Sequence, residues 1–279
     1  MSRATIEGAG VRLRRALGPG DVVSADPFLL LDDFSSDDPS DYLAGFPWHP
    51  HRGIETVTYM IRGEVEHEDS IGNKGVIGSG DVQWMTAGSG ILHQEMPREF
   101  KGMMQGFQLW VNLPATNKMM NPRYREVKAN AIPIHAPDTG VELRVVAGNI
   151  GGTRGPVKDL VVDAEYMDVS IAPNRRFEHA VRRDNTAFAY VFQGDGRFDG
   201  SSKKSFSQQE IVLFDEGVSV SVMAGPDGVR FLMISGRRLD EPVAWGGPIV
   251  MNTDEELDLA FRELRDGSFI KGRKGPLPV

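Results

Sequence analysis

The chain has 279 residues, 40% of them hydrophobic and 25% charged, and its 31 basic and 39 acidic side chains give a formal net charge of −8. That length exceeds what one core comfortably fills and predicts two domains, while the acidic balance excludes a general basic field for gripping nucleic acid. With no cysteine at all, disulfides, thiolate metal ligands and cysteine nucleophiles are excluded, and a cytoplasmic location is expected.

Taken in order, the first residues, Met1 to Gly18, carry basic side chains but no continuous apolar segment or small-residue cleavage site, which argues against secretion. Phe28-Leu29-Leu30-Leu31 is apolar but stops at Asp32-Asp33, and no run approaches the ~20 residues of a membrane span. From Thr56 onward the pattern is β. Runs rich in β-branched and aromatic residues at 56–61, 81–86 and 107–113 are punctuated by glycine turns such as Ile71-Gly72-Asn73-Lys74-Gly75. Asn130 to Gly140, with Pro133 and Pro137, reads as a linker, so the predicted domains are residues 1–132 and 133–279. Further strands are expected over 142–147, 166–171, 187–192, 211–214 and 218–223. Short strands at this spacing predict an all-β sandwich or barrel. Thr253-Asp254-Glu255-Glu256 then forms a capping box for one short C-terminal helix, with Leu257, Phe261 and Leu264 on a common face and Gly267 as its stop.

The two halves echo each other. Tyr59 to Gly63 matches Tyr190 to Gly194 at the tyrosine and the glycine, and Thr86-Ala87-Gly88 aligns loosely with Met223-Ala224-Gly225. Carried across those anchors, His51 falls on Arg182, His93 on Arg230 and Glu95 on Leu232. The second half is therefore expected to lack the polar constellation of the first.

That constellation is the pair His49-Pro50-His51 and His93-Gln94-Glu95. Residues i and i+2 of a strand share a face, so each cluster aims two side chains at one point. Three imidazoles and a carboxylate suit a divalent first-row metal: iron, with nickel, copper, zinc and manganese as further candidates. The other histidines have plainer readings. His135 and His179 are expected to be ordinary hydrogen-bonding residues, and His67, in Glu66-His67-Glu68-Asp69, a solvated strand end, with a place at the pocket mouth as the competing assignment. Trp48, Trp84, Met60 and Met85 are expected in the barrel core, with an aromatic-binding cavity as the competing assignment. Gly88-Ser89-Gly90 lacks the lysine and helix of a phosphate loop and predicts a tight turn ahead of His93.

Gly45, His49-Pro50-His51 and Glu55, then Gly80-Asp81 and His93, resemble the two motifs of the cupin superfamily. The longer strings Phe46 to Val57 and Gly80 to Pro97, with Asp26 to Leu30, Gly106 to Pro114 and Glu241 to Pro248, resemble the pirin family along nearly the whole chain. The resemblance implies two cupin barrels of the double-stranded β-helix (jelly-roll) type, the first with one mononuclear iron and the second with none. It also implies His49, His51, His93 and Glu95 as ligands. Glu55 stands where many other cupins place their carboxylate ligand and is the competing assignment. Some members oxidise the flavonol quercetin with O₂; others are iron-dependent co-regulators that act through protein partners. Three neutral imidazoles and one carboxylate leave Fe²⁺ at +1, which a deprotonated flavonol would neutralise. Glu95 is then the expected base for the substrate hydroxyl. No motif for reading nucleic acid and no membrane segment is present, and a protein partner would leave no trace of this kind.

Overall fold

The structure, a computed structural model, describes residues 1–199 and 204–271. Its chain divides into two compact units, one of Met1–Arg3, Val23–Pro27 and Asn130–Arg238, the other of Ala4–Val22, Phe28–Ala129 and the stretch from Leu239 onward. The second of these carries the predicted site. Its strands are β1 (Arg3–Glu7), β2 (Val11–Leu17), β3 (Phe28–Asp33), β4 (Phe46–His51), β5 (Ile54–Arg62), β6 (Val65–Asp69), β7 (Lys74–Ile77), β8 (Val82–Thr86), β9 (Ile91–Pro97), β10 (Gln105–Asn112) and β11 (Arg123–Val127). They form a seven-stranded sheet in the order β1-β2-β3-β10-β5-β8-β11 and a four-stranded sheet in the order β4-β9-β6-β7.

Period-two alternation decides what each sheet presents. Two apolar clusters lie between them: Leu13, Phe34, Met60, Val65 and Ile77 in one, Ile54, Met85, Ile91 and Val250 in the other. At ~25 cal/mol per Å² these buried side chains supply the main drive for closing the sandwich. Val250 comes from the far end of the chain. After Leu239 the chain forms a hairpin, pairs strand to strand, and then a helix from Asp254 to Arg265, which packs Leu257, Phe261 and Leu264 against Leu92, Ile249 and Phe269. The capping box forms as the sequence predicts: Glu256 N–H donates to Thr253 Oγ1 at 3.2 Å, and Glu256 Oε2 accepts from Thr253 N–H at 3.3 Å.

The other unit is a second antiparallel barrel. Its strands are β12 (Ile134–Asp138), β13 (Val141–Ala147), β14 (Asn149–Ile150), β15 (Thr153–Arg154), β16 (Ala164–Ile171), β17 (Arg176–Ala180), β18 (Asn185–Arg197), β19 (Phe206–Ser207), β20 (Glu210–Leu213) and β21 (Ser219–Arg237). The expected linker differs from the sequence reading, because residues 134–138 pair with β13 as an edge strand, where Pro137 is tolerated. The repeat register also differs. β21 is a single 19-residue strand that pairs with β17 at one end and with β18 at the other, whereas in the site-bearing unit β9 and β10 do these two jobs separately. The stretch corresponding to β9 is therefore Ser219 to Met223, not Arg230 to Leu232. There Val222 faces Phe177 and Val220 faces His179, and both valines and Phe177 belong to an apolar core. Each of the two units is a cupin-type barrel, and the chain ends in one short helix.

The hairpin and helix carry the last labels, β22 (Ala244–Gly246), β23 (Ile249–Met251) and, with α1 (Val22–Ala25) a single turn near the N-terminus, α2 (Asp254–Arg265). No helix among the described residues is long and apolar enough to cross a membrane.

Candidate metal centre

β4 and β9 are neighbours in the four-stranded sheet, and their register sets His49 directly opposite His93. Opposed residues share a face, and His51 and Glu95 lie two residues along on that same face. Ligand atoms of His49, His51 and His93 fall within 4.8 Å of one another; those of His93, Glu95 and His67 form a second, overlapping group of the same size. Among the described residues these are the two clusters with metal-ligand character.

Hydrogen bonding settles how the imidazoles are turned. His49 Nδ1 lies 2.9 Å from the Pro47 carbonyl and His51 Nδ1 3.0 Å from the Pro248 carbonyl. A carbonyl only accepts, so both Nδ1 atoms carry the proton and both Nε2 atoms are bare lone pairs. Those Nε2 atoms face each other at 3.1 Å. Burial pulls the pKa of both rings down, that of His51 to about 3, so neither is protonated at neutral pH to bridge the gap. Two opposed lone pairs at that distance repel unless a cation lies against both. His93 is completely buried, is held well below its usual pKa by that burial, and has neither ring nitrogen paired. A buried polar atom without a partner costs about 1–3 kcal/mol. This donor set fits a divalent metal.

Glu95 sits 6% exposed, and Thr58 on the facing sheet reaches it at 2.8 Å through Oε1. Thr58 Oγ1 is also 2.8 Å from the Gln108 side-chain amide. A hydroxyl has one proton, so Thr58 serves one of its two acceptor neighbours, Glu95 Oε1 and Gln108 Oε1, at a time. Glu55 lies elsewhere. It is an odd number of residues from Thr58 on β5 and therefore on the opposite face, where Thr86 Oγ1 donates to it at 2.5 Å and Arg125 stands 3.9 Å away.

His67 departs from expectation. It is 1% exposed rather than solvated, stacks on Tyr124 at 5.0 Å between ring centroids, and lies 5.4 Å from His93. The register pairs it with Glu95. The signal was present in alternation: Val65, His67 and Asp69 turn inward while Glu66 and Glu68 turn out, but four consecutive charged or polar residues mask that period. His135 and His179 are ordinary hydrogen-bonding residues, paired with Thr153 at 3.1 Å and Glu165 at 2.9 Å.

A cavity of about 650 Å³ opens on His49, His51 and Glu95. Trp48, Trp110 and Trp245 line it, while Trp84, Met60 and Met85 are buried core. Trp110 stands edge-on to His51 at 5.0 Å and 6.0 Å from Trp245. Sequence order gave no hint that Trp245 and Pro248, nearly 200 residues after His51, belong here. A cation braces their segment: Lys118, 1% exposed, donates to the carbonyls of Gly53 and Val250 at 3.0 Å each and to Asn112 Oδ1 at 2.7 Å. Next to His51, Arg52 donates to the Ser89 and Phe269 carbonyls, pairs with Glu263 at 2.7 Å and lies 4.1 Å over the Phe269 ring.

Two imidazoles from β4, an imidazole and a carboxylate from β9, and an apolar cavity between two sheets define a two-barrel cupin whose first barrel gathers residues that could hold a metal ion. Family models agree over both barrels: the pirin model matches residues 10–111 and that of the pirin C-terminal cupin domain residues 166–270. A pirin-like protein of Caulobacter vibrioides is 47% identical over 266 residues, 95% of each chain. Pirin-1 of Arabidopsis thaliana is 41% identical over 263 residues, covering 93% of this chain and 89% of its own. The crystal structure of a quercetin 2,3-dioxygenase from Acinetobacter baumannii superposes with a TM-score of 0.87 at 34% identity, over 96% of this chain and 94% of that one. The chain belongs to the pirin family.

Proposed function

We propose that the protein is a mononuclear iron-dependent dioxygenase of flavonols, with Fe²⁺ held by His49, His51, His93 and Glu95. The observation that carries this is the cavity: it is roomy, walled largely by aromatic and aliphatic side chains, and open to the bare Nε2 atoms. Pockets of a few hundred Å³ with few convergent polar groups are the usual form of small-molecule sites. Likeness to a quercetin 2,3-dioxygenase at 34% identity over nearly the full length supports the substrate class. A site serving only to sense redox state needs no such cavity, so the regulator reading has no observation of its own.

A bound Fe²⁺ would supply Lewis acidity towards a substrate hydroxyl and the electrons that activate O₂. The chain's own residues do the rest. Pro47 and Pro248 carbonyls fix the tautomers of His49 and His51, keeping Nε2 available as donors. Trp110 and Trp245, packed against each other at 6.0 Å, give the cavity an aromatic wall for a flat substrate. Glu95, held through one carboxylate oxygen by Thr58, would take the proton of the flavonol hydroxyl on its other oxygen as that oxygen loosens from the metal.

The test is O₂ uptake coupled to quercetin loss by iron-loaded protein beside His93→Ala. Turnover that disappears in the variant is expected. Iron-loaded wild type that binds metal stoichiometrically yet leaves quercetin intact would overturn the assignment.

A further inference from the structure

The polar residues of the cavity wall form a line. Arg15 lies opposite Asp32, Asp32 opposite Gln108, and Gln108 opposite Thr58. Directly opposed residues of antiparallel strands share a face, so one polar row crosses β2, β3, β10 and β5 on the side that lines the cavity. The neighbouring rows are largely apolar, with Leu30 opposite Trp110 on one side, ending at Thr56 on β5, and Phe34 packed over Gly106 on the other. The row starts at the metal centre, where Thr58 donates to Glu95. Asp32 is two strands further on, about 10 Å at the usual spacing between strands.

At that far end Arg15 clamps Asp32 with Nε at 2.9 Å and Nη2 at 2.8 Å, and turns Nη1 to Glu7 at 2.9 Å. Two carboxylates around one guanidinium leave the wall net negative. Arg15 is committed to both acids. Asp32 keeps acceptor capacity, because a carboxylate has about four lone-pair sites and two are in use. An arriving hydroxyl meets an acceptor here.

We propose that Asp32, braced by Arg15, is the specificity-determining acceptor for a hydroxyl on the substrate ring remote from the metal. The proposal rests on the flavonol reading above and names the substituents that reading leaves open. A flat molecule laid along the polar row has its reacting hydroxyl at Glu95, its fused rings between the apolar rows, and its pendant ring at β3. The site therefore selects polyhydroxylated aromatics over those with a bare pendant ring.

Quercetin and galangin share the same fused nucleus, but only quercetin carries hydroxyls on the pendant ring, so the pair isolates the contact. Metal-loaded protein is titrated with each, without O₂, by fluorescence quenching, and turnover of each is then measured in air. Wild type should bind quercetin roughly ten- to a hundredfold more tightly, as expected for one hydrogen bond to a charged group. Asp32→Ala should bring the ratio close to one, weakening quercetin binding selectively relative to galangin. Should that variant fail to fold, the wild-type ratio and Asp32→Asn, which keeps the shape but not the charge, still decide. Equal wild-type affinities, or parallel loss of both ligands in a folded Asp32 variant, would overturn the assignment of Asp32. Galangin cleaved as well as quercetin leaves the flavonol reading standing and removes only this inference; neither bound nor cleaved removes both.

Discussion

Replacing Lys118 with methionine tests how the C-terminal segment holds the candidate metal centre together. The buried ammonium donates three hydrogen bonds, to Gly53, Asn112 and Val250. Hydrogen bonds to a charged group contribute about 1.5–3 kcal/mol each, so their loss costs roughly 4–9 kcal/mol. Against this stands the desolvation of the charge. Burial pulls Lys118 from 10.5 down to about 8, which at 1.36 kcal/mol per unit is about 3 kcal/mol. The net loss is therefore a few kcal/mol, or a midpoint drop of roughly 5–12 °C.

The sign of the pH dependence is specific. A folded pKa of about 8 below an unfolded value of 10.5 means that the unfolded chain binds more protons between those limits, so stability rises with pH across that window. Wild type should gain up to about 3 kcal/mol relative to Lys118→Met between pH 8 and 10.5. Val250 is two residues from Pro248, whose carbonyl orients His51, so the variant should also bind metal more weakly. Urea titrations of both proteins from pH 7 to 10.5, with calorimetric metal titration at pH 7, read these quantities. Parallel pH profiles, or unchanged metal affinity in a destabilised variant, would refute the reasoning.

Other substitutions have definite outcomes. Gly53 has φ +77° and a Cβ there would lie 1.9 Å from the Val250 carbonyl oxygen; Gly53→Ala should displace β23, cost on the order of 2–4 kcal/mol in thermal unfolding, and weaken metal binding, and a variant as stable as wild type would exclude this close approach. Thr58→Val removes the hydrogen bond to Glu95 but keeps the shape, and should weaken metal binding roughly 10-fold. Thr58→Ser should restore it, and failure of serine to rescue would point to packing instead. Thr253→Ala removes the cap of α2 and should cost ~1 kcal/mol by chemical denaturation without changing metal affinity; a larger loss that reached the metal would show α2 coupled to the site more tightly than one cap.

The local features were legible from the chain. Alternation and turn residues indicated the strands, the i, i+2 histidine and glutamate pairs indicated one metal-directed face, and Thr253 with Glu256 indicated the helix start, because each depends only on neighbours within a few residues. The second barrel's register was not legible: β21 joins two strands in one, and no local signal marks the absence of a break. His67 was hidden by its acidic neighbours, since alternation alone does not say which face is covered.

What only tertiary structure decided are contacts between segments far apart in the chain. Pro248 fixing His51, Lys118 joining Gly53 to Val250, and the polar row from Thr58 to Arg15 exist because sheet pairing brings those backbones together. Residue order determines which face a side chain takes along its own strand. Strand order and register determine which side chains meet across that face, and these are properties of the whole packed barrel, set by closing the apolar sandwich rather than by any local run of residues.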